Sequence, residues 1–379
     1  AVFCSAHGCL AVWAVAEDPP RAPLRHLRLD RCESDGRDSA ALEAAPWPEV
    51  ESLHATQTSL YAVHGGLAHA GSLFELDVEL LFPEVLEDIL PLDFLCATSL
   101  RKLVFRCCYE ELLLSLAQAV HAGRLPNLCE LSLMGSPKGA AAKARGLRWP
   151  PLRSGLAGEH TRPVAAEALA KALLSTPSLE SLEIRGVVAL DGTGSMTSLV
   201  AMAGRQGLRH LSLTNCACLG HRALRMVLEA VRSWSPGLLT LALAPSPLCA
   251  APFDEAAMVG SALASLMLRL CHLRVLCITW SGLGEEGAAA LADGLDLGSK
   301  MRESLCQDHG GSAWGLSGTA LQEADFSNNG IVESAPRLVR ALLLHAPRLK
   351  SLSLSGSGAD TSLLHAARSL ACDRGVRCD

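Results

Sequence analysis

Leucines fall along this chain in one repeated arrangement, and the polar residues between them mark the side of the backbone that faces water. The clearest copy is Leu208-x-x-Leu211-x-Leu213-x-x-Cys216-x-x-Leu219. Its alternation predicts a short strand, because successive strand side chains point to opposite faces. The small residue at the ninth position predicts a turn out of that strand. A helical pattern follows, LGHRALRMVLEAVRSW, and the arrangement restarts at Leu238.

Eleven units keep this phase, beginning at Leu24, Val50, Leu73, Leu100, Leu128, Leu179, Leu208, Leu238, Leu273, Leu321 and Leu349. Most starts lie 23 to 30 residues apart, with longer intervals of 35, 48 and 51. Between strands, apolar residues recur three and four apart in Glu111–Leu116, Val164–Leu174, Arg222–Val231, Met258–Leu270, Glu285–Leu295 and Pro336–Leu344, which predicts helices. Pro126, Pro177, Pro236 and Pro347 stop a helix and restart a strand. No single unit can bury its inward leucines, so the units must stack, and stability becomes a nearest-neighbour sum. The two longest intervals hold insertions at about 137–163 and 297–318, expected to be flexible rather than partner-binding.

This repeat resembles the leucine-rich repeats of the ribonuclease-inhibitor type. The resemblance implies an α/β solenoid, a horseshoe with a parallel inner sheet and outer helices. It covers residues 24–371, with 1–23 as an N-terminal cap or the remnant of an upstream region and 372–379 as a C-terminal end.

Composition narrows the function. Aromatics are 4% of residues against 49% hydrophobic, so the core is built from Leu, Ala and Val. The net charge of −6 leaves no basic footprint for nucleic acid, and no apolar run reaches a membrane span. The one basic cluster, from Lys138 to Arg162, lies in the first insertion and reads as a solvated charge run. Fifteen cysteines are scattered without zinc spacing; Cys32, Cys108 and Cys216 occupy the small-residue position. That usage points to a reducing compartment, cytoplasm or nucleus, against the weaker reading of residues 1–20 as a signal peptide.

Catalytic patterns are absent from the sequence: there is no P-loop, HExxH or GxSxG. Asp191-Gly192-Thr193-Gly194-Ser195 reads as a turn rather than a protease loop, because the residue after Asp191 is Gly. Neither a cofactor nor a metal site is expected, since the histidines stand apart from any second ligand.

What remains is the set of strand positions that face away from the core. Those singled out among them as partner-binding candidates are His26, Arg28, Asp30, Glu75, Asp77, Glu79, Lys102, Arg106, Glu183, Arg185 and His210. The acidic rung Glu75, Asp77, Glu79 lies beside Lys102 and Arg106, so the two rungs either pair with each other or form a charged docking site. The resemblance implies a non-catalytic scaffold that binds a protein partner on the concave face. It leaves open a substrate-recognition subunit of a cullin-type ubiquitin ligase, with ligase components as partners, and a GTPase-activating regulator.

Overall fold

A computed structural model of the chain describes residues 2–4, 25–30, 49–58, 67, 70–80, 98–106, 108, 110–135, 164–174, 176–187, 198, 200–201, 207–216, 219–245, 255–308, 319–356 and 361–378. Two compact units divide the chain, residues 1–190 and 191–379.

In the first unit seven strands follow one another in chain order: β1 (Val2–Cys4), β2 (His26–Asp30), β3 (Ser52–Thr58), β4 (Glu75–Leu80), β5 (Lys102–Arg106), β6 (Glu130–Met134) and β7 (Ser181–Arg185). Every adjacent pair among them is parallel, and equivalent leucines stand side by side. Leu53, Leu76, Leu103, Leu131 and Leu182 form one such row, and Ala55, Val78, Phe105, Leu133 and Ile184 form the next; all are buried. Each fully buried leucine is worth about 1.5–3 kcal/mol of transfer free energy, and stacking repeats is what buries it. Helices α1 (Glu110–His121) and α2 (Val164–Leu173) pack against one another and return the chain to the next strand.

Side chains at the start of the repeat fasten neighbouring turns. Ser99 Oγ donates to the carbonyls of Gly71 (2.7 Å) and Leu73 (2.9 Å), and Ser178 Oγ to those of Pro126 (3.1 Å) and Leu128 (3.0 Å). Asn127 Nδ2 donates to Thr98 O at 2.7 Å in the same way.

The second unit repeats the plan with β8 (His210–Cys216), β9 (Thr240–Pro245), β10 (Val275–Ile278), β11 (Glu323–Asp325), β12 (Ser351–Ser353) and β13 (Arg377–Cys378). These strands are also parallel and in chain order. Helices α3 (His221–Trp234), α4 (Ala256–Arg269), α5 (Gly284–Asp308), α6 (Ala335–His345) and α7 (Thr361–Cys372) pack in sequence. The architecture is an α/β leucine-rich repeat solenoid.

Two buried polar residues hold the turns of this unit. Asn329, at the ninth position of its repeat, donates through Nδ2 to Ile278 O (2.5 Å) and Phe326 O (2.9 Å). Its Oδ1 accepts from Ser281 N–H (2.8 Å) and Ser281 Oγ (2.7 Å), so all these polar groups are satisfied across two repeats. His221, fully buried, accepts the Glu255 N–H at Nδ1 (3.0 Å), which assigns its proton to Nε2. Nε2 then donates to Ser281 O and Gly282 O, each at 3.1 Å.

Some elements depart from the sequence reading. Val2–Cys4 pairs with β2 in repeat register, and β13 adds a strand beyond residue 371. Helix α5 continues through residues 297–308, where the sequence reads as an insertion, while 309–318 and the insertion at 137–163 lie outside the described residues. Cys216 is buried as expected and Cys108 is half-buried, its thiol donating to Phe105 O at 3.3 Å; Cys32 lies outside the described residues.

Candidate interaction face

Alternation on β2–β7 leaves one strand face to the core and the other open, and the open face of the first unit carries the charges. In-register pairing sets Ser52, Glu75, Lys102 and Glu130 in one row. The next row holds His54, Asp77, Val104 and Ser132, and Glu79, Arg106 and Met134 form part of a third.

Asp77 is the centre of this face. The Arg106 guanidinium grips both its oxygens, Nε to Oδ1 at 2.8 Å and Nη2 to Oδ2 at 2.9 Å, a diagonal reach across β4 and β5. From β3, His54 Nδ1 lies 2.9 Å from Oδ2. Burial works to raise the Asp77 pKa, but the Arg106 hydrogen bonds and charge, joined by His54, hold it below the usual carboxylate value. The same contacts raise the Arg106 pKa.

A second group lies one row away. Lys102 Nζ is 2.7 Å from Glu75 Oε1, and Ser52 Oγ donates to Glu75 Oε2 at 3.4 Å. The Glu75 hydrogen bond raises the Lys102 pKa against the opposing effect of burial. Ser132 Oγ donates to Glu183 Oε2 at 2.9 Å. The two rungs therefore do pair across the strands, and this pairing still leaves 44% of the Lys102 side chain and 40% of Arg106 exposed.

The other residues singled out in the sequence fall as follows. His26, Arg28 and Arg185 are exposed, and Glu79 is half-buried. The backbone of Asp30 lies on β2, with its side chain outside the described set. His210 belongs to the second unit, where its Nδ1 stands 3.1 Å from Thr240 Oγ1. Val104, between Asp77 and Ser132 on the same face, is buried rather than open. His54, also an outward strand position, was not singled out among the candidates, yet its register opposite Asp77 makes it one.

The open face of the second unit is chemically different. Thr240, Ala242 and Ala244 on β9, Cys277 and Thr279 at β10, and Ser351, Ser353 and Ser355 at β12 are small or hydroxylic. Ser327 ties this surface together: its N–H (2.9 Å) and Oγ (2.5 Å) reach Asp325 Oδ1, and its Oγ lies 2.7 Å from Ser353 Oγ. Burial, with the Asp325 charge nearby, pushes the Cys277 thiol up to about 11.

Between α3 and α4 lies an open cleft of about 390 Å³. Its arginines are answered locally, Arg225 by Glu255 at 3.3 Å and Arg232 by Ser265 Oγ at 2.8 Å. Among the described residues no three His, Cys, Asp or Glu side chains converge to hold a metal, and no helix is long and apolar enough to cross a membrane. The Asp191–Ser195 turn and the 138–162 basic cluster lie outside those residues.

No family model matches the chain, and no curated protein does. Among solved structures the chain is similar to one described as the crystal structure of the Rad7 and Elc1 complex in yeast. Identity is 13% and the TM-score 0.39, over 90% of this chain and 79% of that one. Fold and function therefore rest on the residues and geometry above.

Proposed function

We propose that this chain is a non-catalytic protein-interaction scaffold, of the ribonuclease-inhibitor-like kind, that binds a protein partner on the open strand face of its first unit. The observation that carries the reading is the Asp77–Arg106–His54 and Glu75–Lys102 arrangement, held in fixed geometry yet partly exposed. Charges positioned in advance cost less ordering on binding, and they select a partner by electrostatic complementarity. The subclass rests on the helices, since 10 to 14 residues in α1, α2, α3 and α4 exceed a single turn.

The test inverts the two lysine and arginine ion pairs while leaving each able to re-form across the strands. A Glu75→Lys/Lys102→Glu, Asp77→Arg/Arg106→Asp chain is compared with wild type by affinity purification and mass spectrometry, with circular dichroism checking the fold. Loss of a partner from the folded variant supports the reading. Recovery of the same partners would sink it, and binding would have to lie off this face. Elongin or cullin components among the partners lost would specify a ubiquitin-ligase subunit.

A further inference from the structure

A row of residues at the strand entries collects charge that the sequence keeps apart. In the second unit the row is Arg209, Leu239, Arg274, Gln322, Lys350 and Arg377, and its four cations are exposed. Backbone hydrogen bonds fix the order. The N–H of Leu239 donates to Arg209 O, and that of Arg274 to Leu239 O, each at 2.8 Å. The N–H groups of Gln322, Lys350 and Arg377 continue the line to Arg274 O (2.8 Å), Gln322 O (2.7 Å) and Lys350 O (2.9 Å). Parallel strands lie about 4.8 Å apart, so the row runs for about 24 Å. Arg209, Arg274 and Lys350 fall on alternate strands, about 10 Å from one to the next.

The first unit supplies the comparison. Its row at the same place is Arg25, Glu51, Phe74, Arg101, Cys129 and Glu180, where carboxylates offset the cations. Arg25 and Glu51 pair there at 3.6 Å. The second-unit row has no carboxylate, in a chain whose net charge is −6. Among the described residues Arg274 and Arg377 enter no ion pair, and Lys350 Nζ meets the neutral Gln322 Oε1 at 3.3 Å. Helix ends do not account for these charges, since a helix C-terminus favours cations within its last turn. Arg274 stands five residues past the end of α4 at Arg269, Lys350 five past His345 of α6, and Arg377 five past Cys372 of α7. Three exposed cations in line, without a carboxylate of their own, point to an anion from outside.

Spacing gives the form of that anion. An extended chain advances about 3.3 Å per residue, so side chains three apart also stand about 10 Å apart. Leu239 and Gln322 leave neutral gaps between the cations, and the exposed Glu323 follows Gln322 directly. A phosphate chain, charged at every residue, would set charge on those gaps and against that carboxylate. Carboxylates on every third residue avoid both, and a guanidinium fork takes each with two bonds.

We infer that this row binds an extended acidic segment of a partner protein, with carboxylates three residues apart on Arg209, Arg274 and Lys350 and Arg377 closing the row. The surface belongs to the second unit and does not depend on the charged face of the first.

Fluorescence anisotropy on the full chain at low salt tests it, with an amidated peptide of three Glu-Ser-Gly triplets carrying a neutral dye. Each exposed pair contributes little, so the row is reversed as a whole. Affinity should fall about tenfold or more in Arg274→Glu/Lys350→Glu/Arg377→Glu, and about threefold in Arg274→Gln, with circular dichroism checking the fold of both. The single exchange keeps the test decisive if the triple variant does not fold. Binding should weaken as salt shortens the reach of the charges, and a peptide with its three glutamates contiguous should bind less tightly. Absence of binding, equal binding of a glutamine peptide, or unchanged affinity in the folded variants would overturn the proposal. So would tighter binding of an oligothymidylate of equal charge through the same residues, which would give the row to nucleic acid. The charge-inverted first-unit variant should bind the peptide like wild type, so the two readings fail separately.

Discussion

Asp77 shows how much one side chain on an open strand face can organise. Its carboxylate answers Arg106 with two bonds and His54 with a third. Asp77→Asn should lower stability by about 1–3 kcal/mol in urea denaturation, the cost of leaving a charge-assisted network one ion short. The pH dependence follows from the depressed Asp77 pKa. Its contribution is complete above about pH 3.9, the unfolded value, and is lost as pH falls through the folded one. Lys102 acts at the other end: its raised pKa gives a contribution complete below about pH 10.4 and lost as pH rises through the folded value. Unfolding midpoints against pH should therefore lose the Asp77 share of the acid limb in Asp77→Asn, keeping the Glu285 share and the alkaline limb.

Alternation in the sequence placed Glu75, Asp77, Lys102 and Arg106 on the outward side of their strands. It could not choose between mutual pairing and a free docking charge, because that depends on side-chain reach between diagonal neighbours. The left-handed backbone of Trp280, at φ 56° just after β10, was hidden for another reason. Hydrophobic period reports which face a residue occupies and says nothing of φ, so its backbone conformation left no trace in the pattern.

At the scale of elements, α1 to α6 were legible because their apolar stripes recur at three and four, while α7 was not picked out and the caps were not seen. The Glu285 carboxylate, near the start of α5, accepts N–H groups of Val332, Glu333 (2.8 Å) and Ser334 (2.7 Å) just before α6. Burial would raise its pKa, but these bonds outweigh it and lower the value, keeping a negative charge at the helix start. Glu285→Ala should cost about 0.5–2 kcal/mol in urea denaturation, with amide protection lost first at the start of α6.

The sequence reading ended this helix at Leu295, on the length of the repeat interval, whereas α5 runs on to Asp308 with Gly294 and Gly298 inside it. There they serve packing. A Cβ at Gly294 would lie 2.5 Å from the Ala264 Cβ, and one at Gly298 would lie 2.4 Å from the Leu268 side chain. The closest approach between α4 and α5 is harsher still, since a Cβ at Gly260 would stand 2.0 Å from Gly287 O. Gly260→Ala should force α4 and α5 apart and lower stability by about 1–3 kcal/mol, read as a fall in the urea midpoint.

At the scale of the whole molecule, the repeat was the most legible feature, because three inward apolar positions, most of them leucine, mark each unit and the period repeats the signal. Each rung depends mainly on its neighbours, which limits how far damage spreads. Leu211 is fully buried, and Leu211→Asp would place an unpaired carboxylate among leucines. Hydrogen exchange should then show protection lost in β8 and β9, with β11 and β12 retaining theirs. Simultaneous loss in β11 and β12 would show that the unit opens as one body. The ends of the repeat array were less legible, since β1 and β13 carry short or irregular copies of the motif.

The Asn329 bridge has a chemical consequence. Its sequence neighbour is Gly330, and an Asn–Gly step deamidates readily when the next backbone nitrogen can attack the side-chain amide. In the folded chain that amide is committed to Ile278, Phe326 and Ser281. Conversion to Asp or isoAsp would remove the two amide donors and leave a carboxylate beside carbonyl oxygens. Ageing at this one peptide bond would then be slow while the turn stays closed and self-accelerating once it opens. The fraction of acid found at position 329 by peptide mass spectrometry would thus record the past openings of the turn.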